Sequence, residues 1–118
     1  MSTPTSFVDT VILITRDGIG SADPALQHKL LTTYLNLMLE NTLLPAAVCF
    51  YTEGVKLVVE GSPVLEQLKM LEAKGVRLIV CSTCLNFLNL TDKVRVGIVG
   101  GMTDIIEAQA KAAKLITL

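Results

Sequence analysis

The chain has 118 residues, a length that suits one domain able to bury roughly two-thirds of its unfolded surface without disulfides. Its composition is 51% hydrophobic but only 4% aromatic, with a mean hydropathy of +0.57, so the apolar side chains are mainly Leu, Val, Ile and Ala. Such a chain buries nearly all of its apolar surface or shares it with copies of itself, and we expect a homo-oligomer. The net charge of −1, without a basic cluster, argues against nucleic-acid binding.

The sequence shows no signal for membrane insertion or secretion. The longest apolar run, residues 43–51, is interrupted by Pro45 and has about half the length that a bilayer requires. The opening residues MSTPTSF lack the basic and apolar regions of a secretory signal. We therefore expect a cytoplasmic protein that does not enter a membrane and whose cysteines are thiols.

The first half of the chain predicts a strand, a helix and a second strand. TVILITR, residues 10–16, is a β-branched run suited to a strand that is buried on both faces. After the glycine-bearing turn, Asp23 offers an N-cap and Pro24 a first-turn residue for a helix with leucines at helical spacing. AAVCFY, residues 46–51, is the second strand, and the type of the element in TEGVKLVVEGS after it stays open.

The second half repeats this alternation. Ser62 and Pro63 predict another helix start, and Gly75 stands where a helix-ending glycine belongs. VRLIV, VRVGIV and AKLITL are the remaining strands, and MTDIIEAQAKA predicts a helix capped by Thr103. Because parallel neighbours require crossover connections, the alternation predicts an α/β fold with a parallel sheet and helices on both faces. Chemistry in such sheets gathers beyond the carboxyl ends of the strands.

The most informative motif is the cysteine pair of GVRLIVCSTCLNFL. Cys81 ends a predicted strand, and Cys84 falls in the first turn of the next helix, where free N–H groups and the helix end stabilise a thiolate. The pair fits four interpretations: core residues, a dithiol–disulfide couple, part of a metal site, or a persulfide carrier. One Cys-x-x-Cys has too few ligands for a metal within one subunit, with Cys49 and His28 too far away, which leaves only ligands shared across an oligomer; we expect no metal and no cofactor. The thioredoxin layout matches poorly because no proline introduces a late strand.

Other chemistry-bearing residues carry weaker predictions. The Gly-x-Gly of residues 17–23 lacks a full phosphate-binding fingerprint and favours a plain turn. His28 is predicted on a helix surface with no acid facing it. Glu53, Lys56 and Glu60 are predicted to rim the cysteine loop, where Lys56 would lower a thiol pKa.

The sequence resembles the DsrE/DsrF-like family, most closely the C-terminal domain of YedF-type proteins, which are described as sulfurtransferase-like and linked to selenium metabolism. The matching segments are GVKLVVEGSPVLEQLKMLEAKGVRLIVCSTCL, VRVGIVGGMTDIIEAQAKAAKLITL and, more loosely, the opening strand, loop and helix. The resemblance implies a single DsrE-like domain over residues 1–118, with 1–7 as a flexible N-terminal segment. It also implies a three-layer α/β/α fold (DsrEFH-like) around a five-stranded parallel sheet, usually assembled into oligomers.

The resemblance further implies sulfur relay through a persulfide. Cys81 takes the place of the sulfur-accepting cysteine, and Cys84 is predicted to be a resolving or assisting thiol. The chain departs from the YedF-type pattern at two positions. It has Ser82 where that pattern usually has glycine, and Gly101 where it usually has asparagine. The predicted pocket-shaping residues are Ser82, Thr83, Gly100, Gly101 and Met102.

YedF-type proteins commonly carry an N-terminal TusA-like domain, whereas this chain begins almost at once with its first strand. We therefore expect a separate TusA-like sulfur-carrier protein as partner. Whether the chain is an enzyme, in the sense of a sulfurtransferase, stays open. The alternatives are a non-catalytic oligomeric binding module and a dithiol redox protein.

Overall fold

A computed structural model describes residues 6–118 of the chain as alternating strands and helices, with two short 3₁₀ helices between them. The strands and α-helices are β1 (Thr10–Ile14), α1 (Pro24–Glu40), β2 (Ala47–Phe50), α2 (Leu65–Ala73), β3 (Arg77–Cys81), α3 (Ser82–Phe87), β4 (Ile98–Gly100), α4 (Met102–Lys111) and β5 (Lys114–Thr117). The 3₁₀ helices are Thr52–Val58 and Thr91–Lys93.

The strands form one five-stranded sheet in the order β4-β3-β2-β1-β5, and every neighbouring pair is parallel. The chain moves from β1 to β4 in one direction and then returns through α4 to the opposite edge. Because crossovers between parallel strands are right-handed, α1 and α2 cover one face, where they pack together, and α4 covers the other. The predicted three-layer fold with a five-stranded parallel sheet is confirmed.

The core lies between these layers and consists mainly of aliphatic side chains. β1 and β2 are buried along their whole length, as the β-branched run of β1 and the apolar run of β2 predict. Helix α1 buries Leu31, Leu35 and Met38 at helical spacing against the sheet. Helix α4 buries only Ile105 and Ala108, so the face that it covers is the more exposed one.

The helix starts show which sequence signals decide the boundaries. The Asp23 side chain caps α1 as predicted by accepting a hydrogen bond from the N–H of Ala25 at 2.9 Å. Thr103 lies inside α4 and is not its cap. The N-cap is Gly101, whose N–H donates to the Asp104 carboxylate at 2.9 Å, so a carboxylate three residues on replaces the expected hydroxyl.

The second helix begins later than Ser62 and Pro63 predict, because these residues form a turn before it. Ser62 accepts a hydrogen bond from the N–H of Val64 at 3.2 Å, and the helix starts at Leu65. Gly75 follows its end with φ +95, a conformation that glycine adopts without strain.

The fourth strand is shorter than VRVGIV. Its first part pairs elsewhere: Val94 forms an isolated antiparallel bridge with Val59, and the N–H of Arg95 donates to the carbonyl of Val58 at 2.8 Å. Gly97 then turns the chain with φ +89 into β4. Only three residues are left to pair with the end of β3.

The segment that follows β2 becomes a 3₁₀ helix, which the sequence leaves undetermined. It packs so tightly against the end of β1 that a Cβ at Gly54 would collide with the carbonyl oxygen of Ile14. Only glycine permits this approach, and it holds the segment at the carboxyl edge of the sheet.

The start of the described chain is anchored to the sheet. Phe7 packs against the core, its carbonyl accepts from the N–H of Thr10 at 2.8 Å, and the Lys114 ammonium lies 5.1 Å from its ring centroid. Of the predicted flexible segment 1–7, residues 1–5 lie outside the described residues. In the part of the chain that the structure describes, none of the helices combines the length and apolar character needed to span a bilayer.

Candidate functional site

A cavity of about 340 Å³ opens beside Cys84 at the carboxyl edge of the sheet. The 3₁₀ segment after β2 forms one wall and helix α3 the other. Phe87, three residues after Cys84 on α3, is 85% exposed at this cavity and presents an aromatic ring to solvent. The residues that line the cavity are Thr52, Glu53, Thr83, Cys84, Phe87 and Leu88.

The sulfur of Cys84 is held by a backbone hydrogen bond from the opposite wall. The N–H of Thr52 donates to Sγ of Cys84 at 3.0 Å. Thr52 has φ +50, a region that β-branched residues adopt only with strain, and its hydroxyl donates to the carbonyl of Thr15 at 2.5 Å. The segment is therefore fixed in an unusual backbone conformation that directs an N–H at a thiol.

Cys81 lies beneath Cys84 and does not line the cavity. It is 1% exposed, pairs with Gly100 of the neighbouring strand, and lies close enough to Cys84 to raise the pKa of the Cys84 thiol. The structure thus brings the two cysteines together as adjacent free thiols of unequal access. A reagent from solvent meets Cys84 first.

The surroundings of Cys84 raise the pKa of its thiol above the ordinary value. Burial is the main cause, the hydrogen bond from the Thr52 N–H opposes it, and the neighbouring Cys81 raises the pKa further. The expected stabilisation of a thiolate by the helix start is outweighed, since α3 has only six residues and the thiol is partly buried. Lys56, which was expected to lower this pKa, does not contribute to the shift, and its ammonium lies 3.2 Å from the Glu53 carboxylate.

The third cysteine belongs to the core. Cys49 is fully buried in β2, and burial raises the pKa of its thiol to about 11, only partly offset by Arg77. Such a thiol is protonated at neutral pH and closed to reagents.

The other predicted site residues are divided between two places. Thr83 lines the cavity, whereas Ser82 is half-buried beside it. Gly100 pairs with Cys81 across the two strands, and Gly101 follows it as the N-cap of α4. Met102 is exposed on α4. Within residues 6–118 this glycine loop forms no part of the cavity wall. Of the predicted rim residues, Glu53 reaches the cavity, while Glu60 lies 3.8 Å from both Lys93 and Arg95.

The structure also contains a polar site that the sequence does not reveal. The prediction that no acid faces His28 is wrong: its Nε2 lies 3.0 Å from Oδ1 of Asp17, and both side chains are about 30% exposed. The turn after β1 folds back onto α1, where Gln27 bonds to the carbonyl of Asp17 at 3.2 Å and to the N–H of Ala22 at 2.9 Å. A second cavity of about 260 Å³ lies at this turn.

No metal-binding cluster is present in the described part of the chain. Among residues 6–118, no group of three or more His, Cys, Asp and Glu side chains is close enough to hold a metal ion.

The fold and the site define an α/β protein that carries a thiol pair at the carboxyl edge of a parallel sheet. The model of the DsrE/DsrF-like family matches residues 10–118, and the chain belongs to this family. None of the curated proteins matches the sequence.

Two solved structures share the fold. The YchN protein from E. coli is 18% identical with a TM-score of 0.70, and the alignment covers 94% of this chain and 99% of that one. MTH1491 from Methanobacterium thermoautotrophicum, described as a protein of unknown function, is 20% identical with a TM-score of 0.69 and the same coverages, 94% and 99%.

Proposed function

We propose that the chain is a sulfur-relay protein that carries sulfur as a persulfide on Cys84. The observation that carries this proposal is the position of the Cys84 thiol. It lines a cavity, accepts a hydrogen bond from the N–H of Thr52 and lies beside a second thiol, that of Cys81. Membership of a family generally linked to sulfur relay supports it. The exposure of the two thiols favours Cys84 over Cys81 as the first acceptor, the reverse of the order that the resemblance implies.

The proposed chemistry is a thiol exchange that needs no external oxidant. The Cys84 thiolate attacks the outer sulfur of a donor persulfide, R–S–SH, forming a new S–S bond while the donor S–S bond breaks. The electron pair of the broken bond leaves on the donor thiolate, which takes up the proton that Cys84 lost. The products are a Cys84 persulfide and R–SH.

The two features that surround the Cys84 sulfur suit this exchange. The N–H of Thr52 donates to the sulfur at 3.0 Å, so it stabilises negative charge there when the thiol is deprotonated. The side chains of Phe87 and Leu88 give the cavity apolar walls beside the sulfur. In this proposal Cys81 is the assisting thiol: after transfer its thiolate attacks the inner, Cys84 sulfur, hydrosulfide leaves, and a Cys81–Cys84 disulfide remains.

The proposed partners are a separate TusA-like sulfur carrier and further copies of the chain. Phe87 is the most exposed large apolar side chain described and stands beside the thiol, which fits a protein partner that docks there. On the face covered by α4, the exposed residues Ile98, Met102 and Ile106 fit an interface between copies. The proposed compartment is the cytoplasm, where such thiols stay reduced.

Sulfur acceptance is tested by mass spectrometry of the reduced protein after incubation with a persulfide donor. We expect the wild type to gain one sulfur atom, Cys84→Ser to gain none, and Cys81→Ser to retain the gain. Cys49→Ser is the matched control, because this cysteine is fully buried and should not react. A wild-type protein that gains no sulfur, beside a carrier that does, contradicts the proposal.

A dithiol redox function is the second candidate, because the two thiols contact one another. In that case an external disulfide such as glutathione disulfide oxidises Cys81 and Cys84 to an intramolecular disulfide. The external disulfide is itself reduced to two thiols. Titration against glutathione redox buffers, followed by alkylation of free thiols, distinguishes the two candidates. A stable Cys81–Cys84 disulfide with no sulfur acceptance favours the redox protein.

A further inference from the structure

The polar cavity at the end of β1 and the Cys84 cavity are neighbours that share one wall. Glu53 lines both of them. Thr52, which lines the Cys84 cavity, is hydrogen-bonded to Thr15, which lines the polar one. Because β1 and β3 are separated only by β2, their ends lie about 10 Å apart. One elongated small molecule can therefore occupy both cavities.

The charges of the polar cavity match a zwitterion. Arg16 lines it and makes no ion pair with any residue from 6 to 118, so its guanidinium is free to bind a carboxylate. Asp17 also lines it and uses one carboxylate oxygen for His28, which leaves the other oxygen for an ammonium group. Glu53 is already paired with Lys56.

The rest of the polar cavity is rigid and supplies neutral groups. Both polar ends of the Gln27 amide are engaged by the turn, so this side chain fixes the wall and does not compete for a ligand. Gly18 permits the close contact of turn and helix, because a Cβ there would lie 2.6 Å from the Gln27 backbone. Thr15 and Ser21 add hydroxyl groups to the lining.

We propose that the polar cavity binds the amino-acid head of a low-molecular-weight peptide thiol persulfide, which delivers its outer sulfur to Cys84. Arg16 binds the carboxylate, Asp17 binds the ammonium group, and the thiol end crosses Glu53 into the apolar cavity. A γ-glutamyl peptide thiol has this form, with an α-amino acid group at one end and the sulfur several bonds away. The inference rests on sulfur acceptance by Cys84 for its chemistry, but the binding of the head does not depend on it.

Binding is tested with S-methylglutathione, which carries the amino-acid head and cannot transfer sulfur. We expect calorimetry to detect binding to the wild type and a loss of about tenfold or more in Arg16→Gln and Asp17→Asn, since each removes a charge-assisted contact. Arg95→Gln is the matched control, because this arginine lines neither cavity. Arg16→Lys, which keeps the charge but not the fork of donors, should bind with intermediate affinity. Wild-type binding that is absent, or equal in all variants, overturns the inference.

Transfer is tested with one donor that carries the amino-acid head and one that has no organic group. Glutathione persulfide should load Cys84 about tenfold more slowly in Arg16→Gln than in the wild type, whereas inorganic hydrodisulfide should load both at the same rate. Equal rates with both donors refute the cavity as a donor site and leave sulfur acceptance intact. If neither donor loads Cys84, the proposed function fails, and the binding measurement alone decides whether the cavity holds the head.

Discussion

The N–H of Thr52 and the sulfur of Cys84 lie 3.0 Å apart, although the two residues are 32 positions apart in the chain. This contact joins the segment after β2 to the helix after β3, and it is made by a threonine with φ +50. Strained residues of this kind persist where the surrounding structure holds them, and they cluster at functional sites. The contact is therefore the structural centre of the candidate site.

Substitutions at Thr52 should separate the hydroxyl from the backbone N–H. Thr52→Val removes the hydroxyl that bonds to Thr15 but keeps the branched side chain at positive φ. We expect a loss of about 1 kcal/mol in the free energy of unfolding and a further rise in the pKa of Cys84, because the N–H is held less firmly. Thr52→Ser keeps the hydroxyl and should resemble the wild type in chemical denaturation and thiol titration. Equal thiol titration curves for Val and Ser would contradict this role of the hydroxyl.

Alanine at Gly54 should displace the same segment. The new Cβ would meet the backbone of Ile14, which cannot move aside as a flexible side chain would, so we expect destabilisation of about 1–3 kcal/mol. Gly101→Ala is the matched control, because its Cβ would have no neighbour closer than 4.0 Å and its φ is −98. Denaturant unfolding of the two variants measures the difference, and similar losses in both would show that close approach at Gly54 is unimportant.

The raised pKa of Cys84 predicts the pH dependence of its reactivity. A raised pKa favours the protonated thiol, so the reactive thiolate is scarce at neutral pH and increases as pH rises. We expect the rate of alkylation of Cys84 by iodoacetamide to keep rising beyond pH 9.0, the ordinary value for the group. Stopped-time alkylation with peptide analysis gives the profile. A plateau below pH 9.0 would mean that the Thr52 hydrogen bond outweighs burial.

A charge on the exposed surface of α4 should prevent self-association. Ile106 is exposed on the face that α4 covers incompletely, and Ile106→Lys places an ammonium group in the proposed interface between copies. We expect the wild type to sediment as an oligomer and the variant as a smaller species. Leu26→Lys is the control, since Leu26 is similarly exposed on α1, across the sheet. A monomeric wild type, or equal behaviour of both variants, contradicts the interface.

Local signals in the sequence were sufficient to predict most of the fold. The β-branched run at β1, the Asp23 cap and the glycine after α2 each act over a few residues, and the alternation of elements then requires parallel crossovers. Boundaries were less predictable where two signals competed. At α4, the carboxylate of Asp104 supplied the capping contact that the Thr103 hydroxyl was expected to make.

The details of the site depend on contacts between distant segments, which local patterns do not contain. The spacing of Cys81 and Cys84 predicts a pair of thiols, but which one faces the cavity depends on how Thr52 packs against α3. The Asp17–His28 pair likewise forms only when the turn after β1 folds back onto α1, because the two residues are 11 positions apart in the chain. Gly18 and the amide of Gln27 were the only signals of this contact. Neither indicates it before the turn and the helix are known to touch.

The most direct test of the central claim is to locate the first sulfur on the wild-type protein. The reduced chain is mixed with a persulfide donor, stopped at short times by alkylation and digested, and the peptide carrying Cys81 and Cys84 is fragmented between them. The exposure of the two thiols predicts that the earliest persulfide is on Cys84, with Cys81 still a free thiol. Sulfur that arrives first on Cys81, or on neither cysteine, would contradict the account.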